Sequence, residues 1–364
     1  MLTYFSVEGF KNFNKKIEIN FADVRDYKFH PEYVTDELLN TVIIYGKNSI
    51  GKTNFGLALF DIVSHLTLNN VTPGLYNYYL NSDNKNTTAS FEYRFCFDDN
   101  EIIYGYSKTE KNEIDSEFLM IDDIVIYHIS ESNWENNALI DLLPNLNWKH
   151  NTNMSPLKYV YYNSNLDTNH PIIKMMKFIN NMLWFRCLGE NRFIGYKEKA
   201  DDYFTFLLDN KDYMDEFNVI LRKANIEIGV SAKKEVDGKT RLYFDTKVPL
   251  PFWSVASSGT KALYMFYYWY KTAPNVSIMY IDEFDAFYHH ELAEGIITLI
   301  KKIPQSQKIL TTHNTNLLSN RIMRPDCYFI LTSDKLTSFA NATKRELREG
   351  HNLEKLYMSG EFDA

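Results

Sequence analysis

Gly46-Lys47-Asn48-Ser49-Ile50-Gly51-Lys52-Thr53 fits the spacing G-x-x-x-x-G-K-[ST]. Glycines at this spacing let backbone N–H groups, those of Asn48 and Ser49 included, turn inward on phosphate oxygens, and a helix start adds a favourable dipole. Lys52 would neutralise the charge of β- and γ-phosphates, and the Thr53 hydroxyl would ligate Mg²⁺. The plain alternative is a glycine turn with an exposed lysine. The apolar run before the turn and the helical pattern after it disfavour that alternative.

A second group closes an apolar run, Val276-Ser277-Ile278-Met279-Tyr280-Ile281-Asp282-Glu283. Two acids after a buried strand are a weak signal alone, since many strands end in solvated charge. Downstream of a phosphate loop they read as a Walker B element: Asp282 holds Mg²⁺ through water and Glu283 polarises the attacking water. Leu310-Thr311-Thr312-His313 then puts one histidine at the edge of the same sheet, facing the γ-phosphate. Ala256-Ser257-Ser258-Gly259-Thr260-Lys261 opens another helix. That is either a second anion site, shared within one pocket or across a dimer, or an ordinary serine N-cap.

These residues need a frame. Thr41–Tyr45 reads as a buried strand, and Phe55, Leu59, Ile62, Val63 and Leu66 recur at helical spacing, so a helix starts near Thr53. Met1–Phe21 reads as two strands around Gly9–Phe13, and Ala89–Ile129 alternates as further strands with a turn at Asp98–Asn100. Leu142–Pro171 looks like polar connection, Ile172–Leu188 and Tyr203–Asn225 like helices, and Asp237-Gly238 like the turn of a hairpin. Val276–Ile281, Lys308–Thr311 and Tyr328–Leu331 are strands with helices between them. That rhythm specifies an α/β class with a mostly parallel core sheet. A strand-rich antiparallel lobe and an inserted helical lobe complete it.

The order of phosphate loop, serine–glycine turn, Asp-Glu and His resembles the ABC-type ATPase head of the RecF, SMC and OLD branch. Gly9-Phe10-Lys11-Asn12-Phe13 is similar to the N-terminal element of these ATPases, and Gly51-Lys52-Thr53-Asn54 to their "GKTN". Ser257-Ser258-Gly259-Thr260-Lys261 and the closing Gly350–Gly360 resemble AAA-type ATPases of phage-defence and abortive-infection systems. The resemblance implies one ATPase domain over residues 1–364. Within it, 1–141 is a nucleotide-binding lobe, 142–252 an inserted mostly helical lobe, and 253–364 the signature, Walker B and His-switch part. It implies ATP and Mg²⁺ as cofactors, with Lys11, Asn54, Ser257, Ser258 and Gly259 joining the phosphate loop in binding. It further implies an ATP-sandwiched dimer controlling a separate nuclease or toxin. A repair ATPase acting on DNA, or a nucleotide-gated scaffold without turnover, stays open.

Two departures stand out. Glutamine is absent before Gln305, so the glutamine that these ATPases carry between phosphate loop and signature is missing; Glu92 or an asparagine is a candidate stand-in. His289 and His290 either reach a partner's site or start the next helix. No TOPRIM nuclease is expected in the residues after His313, and no coiled-coil arm. An aromatic group in the middle of the chain, Trp184, Phe185, Tyr203, Phe204 and Phe206, is either a docking surface for the effector or a lobe core.

Composition sets outer limits. In 364 residues, 39 Lys and Arg face 47 Asp and Glu, a net charge of −8, which argues against a surface built wholly to coat nucleic acid. Three scattered cysteines, Cys96, Cys187 and Cys327, form no CxxC pair and read as buried free thiols. Neither a signal peptide nor a membrane span is evident, so a soluble cytoplasmic protein is expected.

Overall fold

A computed structural model describes residues 1–83, 85, 87–98, 100–130, 133–136, 153–187, 191–196 and 202–362. The boundary expected at 141/142, and the first part of the 142–171 connection, lie outside these residues.

Apart from the two-residue strands Val34–Thr35 and Leu38–Leu39, which pair with each other, the strands in chain order are β1 (Leu2–Glu8), β2 (Ile17–Asn20), β3 (Thr41–Tyr45), β4 (Ala89–Phe97), β5 (Asn100–Glu110), β6 (Glu113–Ile121), β7 (Ile124–Ser130) and β8 (Asn133–Asn136). After them come β9 (Met182–Arg186), β10 (Phe193–Gly195), β11 (Val230–Lys234), β12 (Thr240–Phe244), β13 (Leu250–Pro251), β14 (Ile278–Asp282), β15 (Gln307–Thr312), β16 (Tyr328–Leu331) and β17 (Leu336–Ser338). The α-helices are α1 (Lys52–Leu59), α2 (Asp61–Leu66), α3 (Pro156–Asn163), α4 (Pro171–Asn180), α5 (Lys211–Lys223), α6 (Phe252–Val255), α7 (Ser258–Thr272), α8 (His290–Ile300) and α9 (Leu353–Met358).

Two seven-stranded sheets carry the fold. The core sheet runs β10-β9-β14-β15-β3-β16-β17, parallel from β9 to β16, with one antiparallel strand at each edge. Its β3, β14, β15 and β16 are buried along their whole length. Strands buried over their whole length fit a sheet covered on both faces. The second sheet, β8-β7-β6-β5-β4-β1-β2, is antiparallel throughout. The expected α/β class with a parallel core and an antiparallel lobe is what the chain adopts.

Helix α1 lies between the two sheets. Phe55 meets Phe5 of β1 edge to face with ring centres 5.6 Å apart, and the Tyr93 hydroxyl of β4 donates to the Ala58 carbonyl at 3.0 Å. On the other side the Tyr280 hydroxyl of β14 donates to the Lys52 carbonyl at 2.8 Å. Gly56 makes the close approach, because a Cβ there would fall 2.6 Å from the Tyr280 ring and 2.7 Å from Trp184 Nε1. The sheets are also stitched directly: the Gln307 amide of β15 accepts from Leu2 N at 3.0 Å and donates to Leu2 O at 2.8 Å.

Four expectations need correction. The helix expected to run to Leu188 ends at Asn180, and Met182-Leu183-Trp184-Phe185 becomes β9, a fully apolar stretch that the core sheet buries. The segment read as connection before Pro171 contains α3, capped by Ser155 and anchored by buried Leu157 and Val160. The helix expected from Tyr203 starts only at Lys211, where the Asn210 side chain caps it. Between β15 and β16 there are two 3₁₀ turns instead of an α-helix. The inserted segment thus supplies helices and also two strands of the core sheet. Of the five aromatics that could form a docking surface, Trp184, Phe185, Tyr203 and Phe206 are buried and belong to the core, and Phe204 alone is exposed. Cys187 and Cys327 are buried and free, whereas Cys96 is exposed.

Candidate functional site

The C-terminal ends of β3, β14, β15 and β9 converge on one point, and the start of α1 faces it. This is the crevice in which parallel α/β sheets hold their ligands. Ser49 at φ 64° and Gly51 at φ 112° give the loop its two left-handed residues. The Gly46 turn is tight, since a Cβ there would lie 2.8 Å from Ile50. Asn48 and Ser49 are exposed. Lys52 is buried, and its ammonium donates to the Gly46 carbonyl at 2.7 Å and the Lys47 carbonyl at 3.1 Å. Burial lowers the lysine pKa, opposed by the nearby Glu283, Asp282 and Asp285 carboxylates.

Asp282, fully buried at the end of β14, accepts from the Thr53 hydroxyl on Oδ2 at 2.7 Å and from the Thr311 hydroxyl on Oδ1 at 2.8 Å. Burial raises the Asp282 pKa, against those two bonds and the Arg186 guanidinium. Thr311 also accepts from the Glu283 N–H at 2.7 Å, which fixes Glu283 at φ 52°. Left-handed backbone at a non-glycine residue is strained and persists only where neighbours hold it. Helix α1, β14 and β15 are therefore linked through one aspartate and two hydroxyls.

Sequence reasoning missed three residues here. Arg186, the last residue of β9 and paired in register with Asp282, donates to Glu283 Oε2 at 2.8 Å from Nη2 and at 3.3 Å from Nε, with Nε 3.6 Å from Asp282. Its signal was hidden by the reading of β9 as helix. Thr311 lies two residues before His313 and carries no motif signal of its own. Asn12, next to Lys11, donates to the Ile50 carbonyl at 3.0 Å and accepts from Asn54 Nδ2 at 2.7 Å, so the N-terminal element grips the phosphate loop through the asparagine. Lys11 itself points its ammonium to the Asn77 carbonyl at 2.6 Å. Glu92 lies in β4 with its carboxylate on Arg94, 2.7 Å away. His313 is exposed just past the end of β15.

Ser257 and Ser258 are exposed at the start of α7, and Gly259 packs close to Phe287. The Ser257 hydroxyl accepts from the Thr260 N–H at 3.1 Å, so the N-cap exists whatever else the turn does. A groove of about 570 Å³ beside it is lined by Gly259, Leu263, Phe266, Phe287, Leu292 and others of α5, α7 and α8, with no residue of the phosphate loop in its walls. His289 stands at the N-cap position of α8 without a side-chain capping bond and His290 is its first residue, in keeping with the helix-start alternative.

The donor set suits a hard cation: Thr53 and Asp282 offer one hydroxyl and one carboxylate, leaving the remaining positions to phosphate oxygens and water, the usual arrangement for Mg²⁺. Among the described residues no helix is long and apolar enough to cross a membrane.

No curated protein matches the chain. Among solved structures, an SMC head domain from Thermotoga maritima aligns at 12% identity over 93% of this chain and 98% of that one, with a TM-score of 0.42. An SMC head with an extended coiled coil from Pyrococcus furiosus, bound to the C-terminal domain of ScpA, aligns at 14% identity over 93% and 96%, with a TM-score of 0.46. The family described as "AAA domain, putative AbiEii toxin, Type IV TA system" matches residues 42–319, a span that takes in the phosphate loop, the serine–glycine turn, the Asp-Glu pair and the histidine. The chain belongs to this AAA-domain family of ATPases.

Proposed function

We propose that the protein binds and hydrolyses ATP with Mg²⁺, closes into a dimer around the nucleotide, and controls a separate nuclease or toxin in anti-phage defence in the cytoplasm. The observation that carries the reading is the unbroken link Thr53–Asp282–Thr311–Glu283, which joins the phosphate-loop helix to a carboxylate set beside it. Lys52 would shift from the loop carbonyls to phosphate oxygens. Glu283 would take the proton of the attacking water, and exposed His313 would meet the γ-phosphate from the next strand. Mg²⁺ would be held by the Thr53 hydroxyl and the Asp282 carboxylate, and would offset the negative charge of the phosphates.

The dimer is supported by Ser257 and Ser258, exposed at a helix start away from the phosphate loop, where a second subunit's γ-phosphate could be met. The defence role is supported by the family's description, which names a putative AbiEii toxin and a type IV TA system. Size measurement tests the closure. Glu283→Gln with ATP and Mg²⁺ should run as a dimer, and Ser258→Arg placed in that background should return it to monomer. A Glu283→Gln protein that stays monomeric, or a Ser258→Arg variant that still dimerises, contradicts the composite site.

A further inference from the structure

The glutamine that the motif order leads one to expect is absent, and Arg186 stands at the strand end where the core sheet reaches the site. It ends β9, directly beside β14, and its guanidinium spans both acids of the Asp-Glu pair. The Asp282 oxygen it approaches at 3.6 Å is the one bonded to Thr53, so a phosphate held by Lys52 and Thr53 lies next to the guanidinium. One third of the side chain remains exposed, enough to turn toward such a phosphate.

From this placement we infer that Arg186 is the γ-phosphate sensor of the site, exchanging Glu283 for the γ-phosphate when ATP is bound. The inference rests on the ATP reading above. Both N–H bonds fall on Glu283 Oε2, so the guanidinium engages that oxygen's lone pairs and holds the carboxylate turned toward β9. A γ-phosphate presents more negative charge to the same fork, so it competes for the guanidinium and releases Glu283 toward water. ADP lacks that group and leaves the pair in place. Arg186 is thus a positioning residue for Glu283 and a binding residue for the third phosphate, and it permits hydrolysis only of a triphosphate.

The test is the ratio of dissociation constants for ADP and ATP, measured by calorimetry on the full chain with Mg²⁺. Tight binding by the wild type, lost in Lys52→Ala, checks the ATP reading on its own. Absence of wild-type binding overturns that reading and the sensor together. Given wild-type binding, Arg186→Ala should lower the preference for ATP over ADP at least tenfold while ADP affinity stays within threefold. Removing Arg186 takes the guanidinium away from Glu283, so Arg186→Gln, which keeps a donor for Glu283, is measured beside it and should lower the preference at least threefold. A loss of less than threefold in the variants that fold overturns the sensor and leaves ATP binding standing.

Discussion

Gly51 shows how strictly the site constrains single residues. Its φ of 112° is closed to most side chains, and a Cβ would sit 2.4 Å from the Asn12 amide that braces the loop. Gly51→Ala therefore has to unseat either its own backbone or Asn12, at a cost of about 1–3 kcal/mol for the strained backbone. Nucleotide affinity should fall by about tenfold or more, read by calorimetry, with the melting temperature lowered by only a few degrees. Unchanged affinity would show that the loop tolerates a second conformation. Residues of this kind were readable because their types are forced: only glycine suits the turn, and lysine and threonine follow it at fixed spacing. Arg186, Thr311 and Asn12 were not, since each gains its role from a neighbour far away in sequence, Glu283 for Arg186, Asp282 for Thr311 and Ile50 for Asn12.

The elements divide in the same way. β3 runs Thr41–Tyr45, as its apolar run and the glycine after it specify. β16 likewise matches at Tyr328–Leu331. β9 was misread because Met, Leu, Trp and Phe are compatible with either a helix or a buried strand, and periodicity alone cannot separate the two. Only the open edge of β14 decides it. β15 carries an unexpected burden in Lys308, buried within the core sheet, whose pKa burial lowers to about 8. Below about pH 8 the lysine is charged in both states, and its burial then weighs against the fold. Between that value and 10.5 the unfolded chain alone holds the proton, so this residue's contribution to stability rises with pH. Lys308→Met should raise stability at neutral pH by on the order of 2 kcal/mol, and the gain should shrink toward about pH 10. Thermal melts of both proteins across that range check it; a gain independent of pH would assign the effect to packing instead of charge.

For the whole molecule, the decisive feature is that both sheets close on one helix. Phe5 and Tyr93 hold α1 from the antiparallel side, Tyr280 and Trp184 from the parallel side, and Gln307 ties the sheets to each other. The start of α1 is thereby fixed against the ends of β9, β14 and β15, where Asp282 bonds Thr53. A site assembled from both ends of the chain in this way could be anticipated from motif order, but its bracing could not. The most direct test of the central claim, that this junction hydrolyses ATP, is phosphate release by the purified chain with ATP and Mg²⁺. Steady release by the wild type is expected, with Lys52→Ala and Glu283→Gln each slower by about 10²-fold or more. Equal release from all three proteins, or none from a wild type that binds ATP, would contradict it.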